Sequence, residues 1–426
     1  MKVTEKKLKN GNVKLEAIAS SGEVSKAFNA AQNRFARKMG LKMEKGESVA
    51  QAARATMGIR DLDSVVAPQV PGLLAPFAID ARNLTPAFDP QPTYAKLPRR
   101  GQSFSFTLEV MPRPEFELES YEPVTIKIKP KKDPDIDAEL DRLAENAARF
   151  ETAEPHAVGE GDSFKLAIDA LQNGEPLNNL NSEGRTYIMG QGLMPLAFEQ
   201  QLYGMEVGET KRFTFELDSN KPGADPDVID CTVTVIEQQR KVKPVIDDAW
   251  VQENLPRYET LEGLRAAMER SMGANADEAY ETEKLNAAVT ELARRFKSRI
   301  DGRIIQASEQ NLRNNMRTQI EAQGRDFDEY VRAQGGEEAF NMTIMIQTRA
   351  DLQRSYSLDA LYRHEGLTIT DDDIDLAVRE LSPQYADRLR EDMEANGQGY
   401  TLRELAERYK ANRWLLDHAI VEVEEA

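Results

Sequence analysis

The apolar positions of this chain change period along its length, and each change marks an element. In residues 11–20, Val13, Leu15 and Ile18 recur closely enough to read as a strand. Glu23–Lys38 switches to helical spacing, with Val24, Ala27, Phe28, Ala31 and Phe35 on one face. Arg34, Arg37 and Lys38 gather at its C-terminal end, where cations suit the helix dipole. A polar turn, Met39–Glu47, precedes a second helix that Ser48 can cap and Gly58 can stop. Asp61–Ile79 is apolar and helical in pattern, and Pro68, Pro71 and Pro76 are expected to kink or break it. Ser103–Val110 alternates strictly, which predicts a strand burying Phe104, Phe106, Leu108 and Val110. Val124–Lys129 alternates again, and Asp135–Phe150 is an amphipathic helix with Ile136, Leu140, Leu143 and Ala147 inward. Strands at Phe164–Leu171, Tyr187–Met189, Lys211–Leu217 and Ile229–Ile236 predict a small β-rich unit, with a polar loop at Asp218–Asp227. From Asp247 the pattern is helical: Leu261–Ile300, Ile304–Gln323, Asp326–Ala333, Phe340–Glu365, a helix headed by Thr370-Asp-Asp-Asp373, and Leu402–Val423. No period of 20–50 residues repeats. The expected class is α+β and multidomain.

The most informative stretch is Tyr187–Glu209. A short strand enters the turn Gly190-Gln191-Gly192, and a short helix follows with Met194, Ala197, Phe198 and Leu202 at helical spacing. Gly204 stops it, and Val207-Gly208-Glu209 turns into the next strand. This ordered set, Gly190-Gln191-Gly192, Phe198-Glu199 and Gly204-x-x-Val207-Gly208-Glu209, resembles the core of FKBP-type peptidyl-prolyl isomerase domains.

Composition narrows the chemistry. The chain has 426 residues, a net charge of −18 and 30% charged residues, the profile of roughly two to four folded domains with much solvated surface. No run of about 18 apolar residues reads as a membrane span, and nothing at the N-terminus reads as a secretory signal. The expected location is cytoplasmic. Cys231 is single and sits in an alternating strand, the position of a core filler. The three histidines, His156, His364 and His418, lie far apart without ligand-spaced partners, so no metal site is expected. No Gly-x-x-x-x-Gly-Lys loop occurs, and no cofactor is expected. The charge is uneven: residues 1–60 carry 13 Lys/Arg against 5 Asp/Glu, a net of +8, which leaves −26 on residues 61–426. A basic head on an acidic body points the head at a polyanion. The head lacks the aromatic interleaving of a stacking surface, which argues against direct DNA binding.

A basic strand–helix head, the Phe104–Val110 strand running into Pro112–Leu118, an FKBP-type insert and a long helical tail follow one another in the order of the bacterial trigger factor family, which the chain resembles from end to end. In the tail, Ile246-Asp-Asp-Ala-Trp-Val251, Thr260-Leu-Glu-Gly-Leu264, Thr370-Asp-Asp-Asp-Ile374 and Val421-Glu-Val-Glu-Glu425 carry the likeness. The resemblance implies an N-terminal ribosome-binding domain at 1–130, a helical linker at 131–153, the FKBP-like domain at 154–242 and a helical chaperone domain at 243–426. It implies an ATP-independent chaperone for nascent or unfolded polypeptides, at work in protein folding, protein transport and cell division, with a homodimer among its states and no membrane partner. The family's docking loop, Gly-Phe-Arg-x-Gly-Lys, is met here by Gly40, Leu41, Lys42, Met43, Glu44 and Lys45. Lys42 lacks arginine's bidentate fork and Glu44 adds repulsion, so weakened docking is expected.

The isomerase pocket departs further. Xaa-Pro rotation crosses ~18–20 kcal/mol of amide resonance, and the family lowers it in an aromatic-lined apolar pocket with an acid. Those places hold Ala167 and Ile168, Leu177, Met194 and Pro195, and Phe198, with Asp169 as the acid if the hairpin is two residues shorter. No aromatic lies between Phe215 and Cys231 to supply the family's late tyrosine. The expected catalytic set is therefore Phe198, Asp169, Met194, Leu177 and Ile168, in an eroded pocket; the competing reading is an active prolyl isomerase. Met316, Met342, Ile344, Met345 and Ile346 are the expected client surface, because flexible methionines suit variable apolar partners.

Overall fold

The computed structural model describes residues 1–217 and 226–424, so most of the polar loop read at Asp218–Asp227 lies outside the described residues. Two compact units emerge. Residues 1–130 join residues 280–426 in one, and residues 131–279 form the other.

In the first unit, β1 (Lys2–Lys7), β2 (Val13–Ala19) and later β3 (Phe104–Val110) make an antiparallel sheet in that order. Leu15 lies opposite Leu108, and Ala17 opposite Phe106. The buried row of β2 is Val13, Leu15, Ala17 and Ala19. Ile18, one of the apolar positions that marked the strand, faces solvent, because an even step along a pleated strand is needed to stay on one face. α1 (Ser21–Lys38) lays Val24, Ala27, Phe28 and Ala31 on the sheet. It starts two residues earlier than its apolar spacing predicts, since Ser20 and Glu23 form a capping box. α2 (Val49–Met57) is capped by Ser48 and ends at Gly58, whose φ of +69° suits glycine. α3 (Leu62–Val66) gives way to a single tight turn, Ala67–Gln69, before α4 (Val70–Asp80). Pro68 marks the break. Pro71 sits in the first turn of α4, where a missing N–H costs little, and Pro76 lies inside the helix without ending it. Leu62–Asp80 is apolar and long enough to cross a membrane by length and composition, and 56% of that window is buried within the protein. β4 (Thr125–Ile128) buries Ile126 and Ile128.

The second unit opens with α5 (Ile136–Asn146), capped by Asp135, and a short strand β5 (Arg149–Thr152) that the spacing does not announce. β6 (Ser163–Gln172), β7 (Glu175–Pro176), β8 (Ser182–Ile188), α6 (Leu196–Leu202), β9 (Thr210–Leu217) and β10 (Asp227–Val242) follow. The β6–β7 hairpin turns on Asn173 and Gly174, both at positive φ, the geometry that matches strand twist. β10 pairs antiparallel with β6, β9 and β5, far beyond the predicted Ile236. Phe164, Leu166, Ile168 and Ala170 of β6 and Ile229, Cys231, Val233 and Val235 of β10 form one buried face, closed by Phe198 and Leu202 of α6. α7 (Asp248–Asn254) and the start of α8 (Leu261–Ala293) pack Val251 and Leu264 on Leu140 of α5.

The chain then returns to the first unit. α9 (Gly302–Ala322), α10 (Phe327–Ala333) and α11 (Gly336–His364) share a small core. α12 (Asp371–Leu381) is capped by Thr370 as predicted, and α13 (Ala386–Ala395) and α14 (Gly399–His418) follow. The last predicted helix stops at His418; Ile420–Val423 is instead a strand, β11, pairing in parallel with β4. Ile126 and Ile128 of β4, Leu292 and Phe296, Tyr356 and Leu361 of α11 and Leu415 of α14 lie in one core. Tyr400 of α14 joins the core of the N-terminal sheet. Its approach depends on two glycines: a Cβ at Gly397 would lie 2.8 Å from Phe77, and one at Gly399 2.7 Å from Asp80.

Candidate functional site

In the β-rich unit the alternation of β6 separates two of the expected pocket residues. Ile168 points into the buried face and Asp169 to the other. Ile168, Phe198, Leu177 and Met194 belong to one apolar cluster, the first two buried and the last two half-buried. Phe198 is 0% exposed. It is ringed by aromatics: Phe215 at 5.3 Å and Phe213 at 5.5 Å, both edge-on, and Tyr187 at 6.0 Å. Asp169 lines an open groove of about 420 Å³ to which Ala167 and Ile168 also contribute, with Asn181, Ser182 and Glu183, and Phe198 is not among its lining residues. The structure therefore does not bring the candidate acid and the candidate aromatic floor to one cavity.

Glu199, next to Phe198, is buried and accepts a hydrogen bond of 2.8 Å from the Tyr187 hydroxyl. Burial, and then the Glu199 carboxylate, hold the Tyr187 phenol well above the usual range, so it stays a donor. The sequence showed Glu199 only as part of a motif; nothing in its spacing announced the pair. Burial also pushes the Cys231 thiol up to about 11, which removes it as a nucleophile at neutral pH.

The loop after α1 is built by its turn. Gly40 has φ +61°, and the N–H groups of Gly40 and Leu41 donate to Arg37 and Ala36 carbonyls, closing the helix end. Leu41 tucks against the N-terminal core. Lys42, Met43, Glu44 and Lys45 are exposed, as are Arg34, Arg37 and Lys38 on α1. Among the described residues, no ion pair involves Lys42 or Lys45. The exposed apolar side chains of this loop are thus Met39 and Met43, and not Leu41.

The five client candidates divide by helix face. Phe340, Ile344 and Thr348 follow at intervals of four and point inward. Ile344 joins Phe327, Val331 and Ile320 in the core of α9–α11, and Met316 packs against it. Met342 and Ile346 lie about 200° round from Phe340 and Ile344; they are 55% and 60% exposed. Met345 is half-buried. Arg313 lies 5.2 Å over the Phe340 ring and Arg317 4.6 Å over Phe327, so cations rim this end of the helices.

A buried ion network was not legible in the sequence. Asp359 of α11, 2% exposed, accepts both Nε (2.9 Å) and Nη2 (3.1 Å) of Arg408 on α14. Arg113 donates to Glu407 at 2.6 Å and lies 3.6 Å from Asp359, while Arg408 pairs with Glu404 at 2.6 Å. Burial, and then the Asp359 carboxylate, push the Tyr356 phenol up to about 12. The network ties the strand-exit segment at Arg113 to two helices of the tail.

Residues 1–143 match a family profile described as bacterial trigger factor protein, and residues 260–417 match the profile for the C-terminus of the same protein. The trigger factor of Desulforudis audaxviator is 23% identical over 429 residues, covering 98% of this chain and 97% of the relative. That of Alkaliphilus oremlandii is 24% identical over 394 residues, covering 89% and 90%. A solved structure of the trigger factor chaperone aligns over 98% of this chain and 99% of its own at 17% identity, with a TM-score of 0.39. Matched at both ends and aligned along nearly its whole length with relatives of one name, the chain belongs to the bacterial trigger factor family.

Proposed function

We propose that the protein is a cytoplasmic, ATP-independent chaperone that holds nascent or unfolded chains on the outer face of α11 and docks on the ribosome through the 39–47 loop. The observation that carries the reading is the pair Met342 and Ile346. The core-facing stripe of α11 is already filled by Phe340 and Ile344, so these two apolar side chains are left for something else to cover. Met345 borders them. Ile344 and Met316 support the surface from within.

The docking end combines exposed Lys42 and Lys45 with Arg37, Lys38 and the apolar Met43. Replacing both Lys42 and Lys45 by alanine is expected to weaken ribosome co-sedimentation by about tenfold or more, since two ion pairs contribute roughly 1 kcal/mol each in water. The remaining binding should weaken further as salt rises. Unchanged co-sedimentation of the double variant would contradict the loop's role. Without the arginine fork, and with Glu44 in the loop, association is weaker than a full Gly-Phe-Arg-x-Gly-Lys loop would give.

The β-rich unit is read as FKBP-like in fold and a poor prolyl isomerase. Support comes from the burial of Phe198 and from the groove at Asp169, whose lining does not include Phe198.

A further inference from the structure

β11 is an edge strand with one side in use. The Ile420 N–H donates to the Val124 carbonyl and the Glu424 N–H to the Ile128 carbonyl, each at 2.8 Å. Alternation then turns the N–H and C=O of Val421 and Val423 away from β4. The β11–β4 sheet has two strands among the described residues, so that outer edge is unpaired. An unpaired edge is a template for another strand. The side chains add a second signal. Val421 stands in register beside Ile126, and Val423 beside Ile128. The two isoleucines are buried, whereas Val421 and Val423 are 38% and 53% exposed. The apolar face covered under β4 therefore continues uncovered under β11. On the other face Glu422 lies 3.7 Å from Lys127.

Charge selects the occupant. A second copy pairing antiparallel about Glu422 would set Glu422 against Glu422, and like charges directly opposite are destabilising. A foreign strand with a lysine or arginine at that place meets Glu422 favourably while its apolar residues cover Val421 and Val423. We propose that the free edge of β11 takes an extended polypeptide segment, apolar at alternate positions and basic between them, as a third strand. The proposal rests on the reading of the chain as a polypeptide-binding chaperone, and its site is separate from the α11 surface.

The test uses the full chain and a short fluorescent peptide alternating valine with lysine, followed by anisotropy. Val421→Pro removes only an outward N–H, and proline is tolerated on edge strands. It is expected to weaken peptide binding by about tenfold or more with the thermal midpoint unchanged. Glu422→Lys should shift preference to the same peptide carrying glutamate for lysine. Amide exchange at Val421 and Val423 should slow when peptide is added. Equal binding by Val421→Pro, or no slowing at those amides, overturns the proposal. Self-association without peptide that Val421→Pro abolishes also overturns it, in favour of a second copy. Absent peptide binding with intact suppression of client aggregation overturns the edge site alone; absent suppression overturns the chaperone reading.

Discussion

Asp359→Ala is expected to lower the stability of the unit formed by residues 1–130 and 280–426 by about 3–5 kcal/mol, the usual cost of removing one partner from a buried ion pair. Asp359 is the carboxylate that both guanidinium groups share: Arg408 grips it with two hydrogen bonds and Arg113 lies 3.6 Å away. Without it, among the described residues Arg408 keeps only Glu404 and Arg113 only Glu404 and Glu407 as ion-pair partners. Asp359→Asn, which keeps the shape and one acceptor, should lose less. Urea unfolding followed at Trp414, which lies on α14 beside this core, reads the effect; Trp250→Phe removes the signal of the other unit. An unshifted midpoint in Asp359→Ala would show that the network does not hold the segment at Arg113 to the tail.

Phe198→Ala is expected to unfold the β-rich unit, at a cost of about 3–5 kcal/mol, rather than to switch off a working site. The ring is fully buried among Tyr187, Phe213 and Phe215, and the cavity left behind would sit between α6 and strands β8 and β9, in the core shared with β6 and β10. Hydrogen exchange at β6 and β10 amides should lose protection in the variant, while Phe198→Leu keeps most of it. In the unaltered protein a proline-limited refolding assay should show little acceleration. Losing positioned groups of this kind commonly costs about a hundredfold in rate. A folded Phe198→Ala protein that has lost a strong isomerase activity would reverse this account.

What could be seen in the sequence follows physical locality. The strictly alternating Phe104–Val110 strand and the capped helices at Ser48 and Thr370 needed only neighbouring residues, and the structure has them. Local signals misled where apolar character and face part company. Ile18 is apolar yet faces outward, and Ile344 lies among exposed neighbours yet fills a core. Long-range pairings were out of reach. β11 is a strand because β4, some 300 residues earlier, offers it an edge, and its own residues read equally well as the end of a helix. Asp359, Arg113 and Arg408 look like ordinary surface charges until three distant segments are brought together. For the site, the motif around Phe198 anticipated a short helix between two strands, and the structure has α6 between β8 and β9. The motif could not show that Asp169 lines a groove from which Phe198 is absent, because that depends on how α6 and β9 pack on the sheet.

The most direct measurement of the account is suppression of aggregation of a chemically unfolded client in the absence of nucleotide, comparing the full chain with a Met342→Glu/Ile346→Glu variant. Both side chains are exposed, so the fold should be kept. Burial of a Met or Ile side chain contributes roughly 1.5 kcal/mol or more. The account therefore predicts suppression by the unaltered protein without nucleotide, and a loss of about tenfold or more in the variant's potency. Suppression that requires nucleotide, or full potency in the variant, would contradict it.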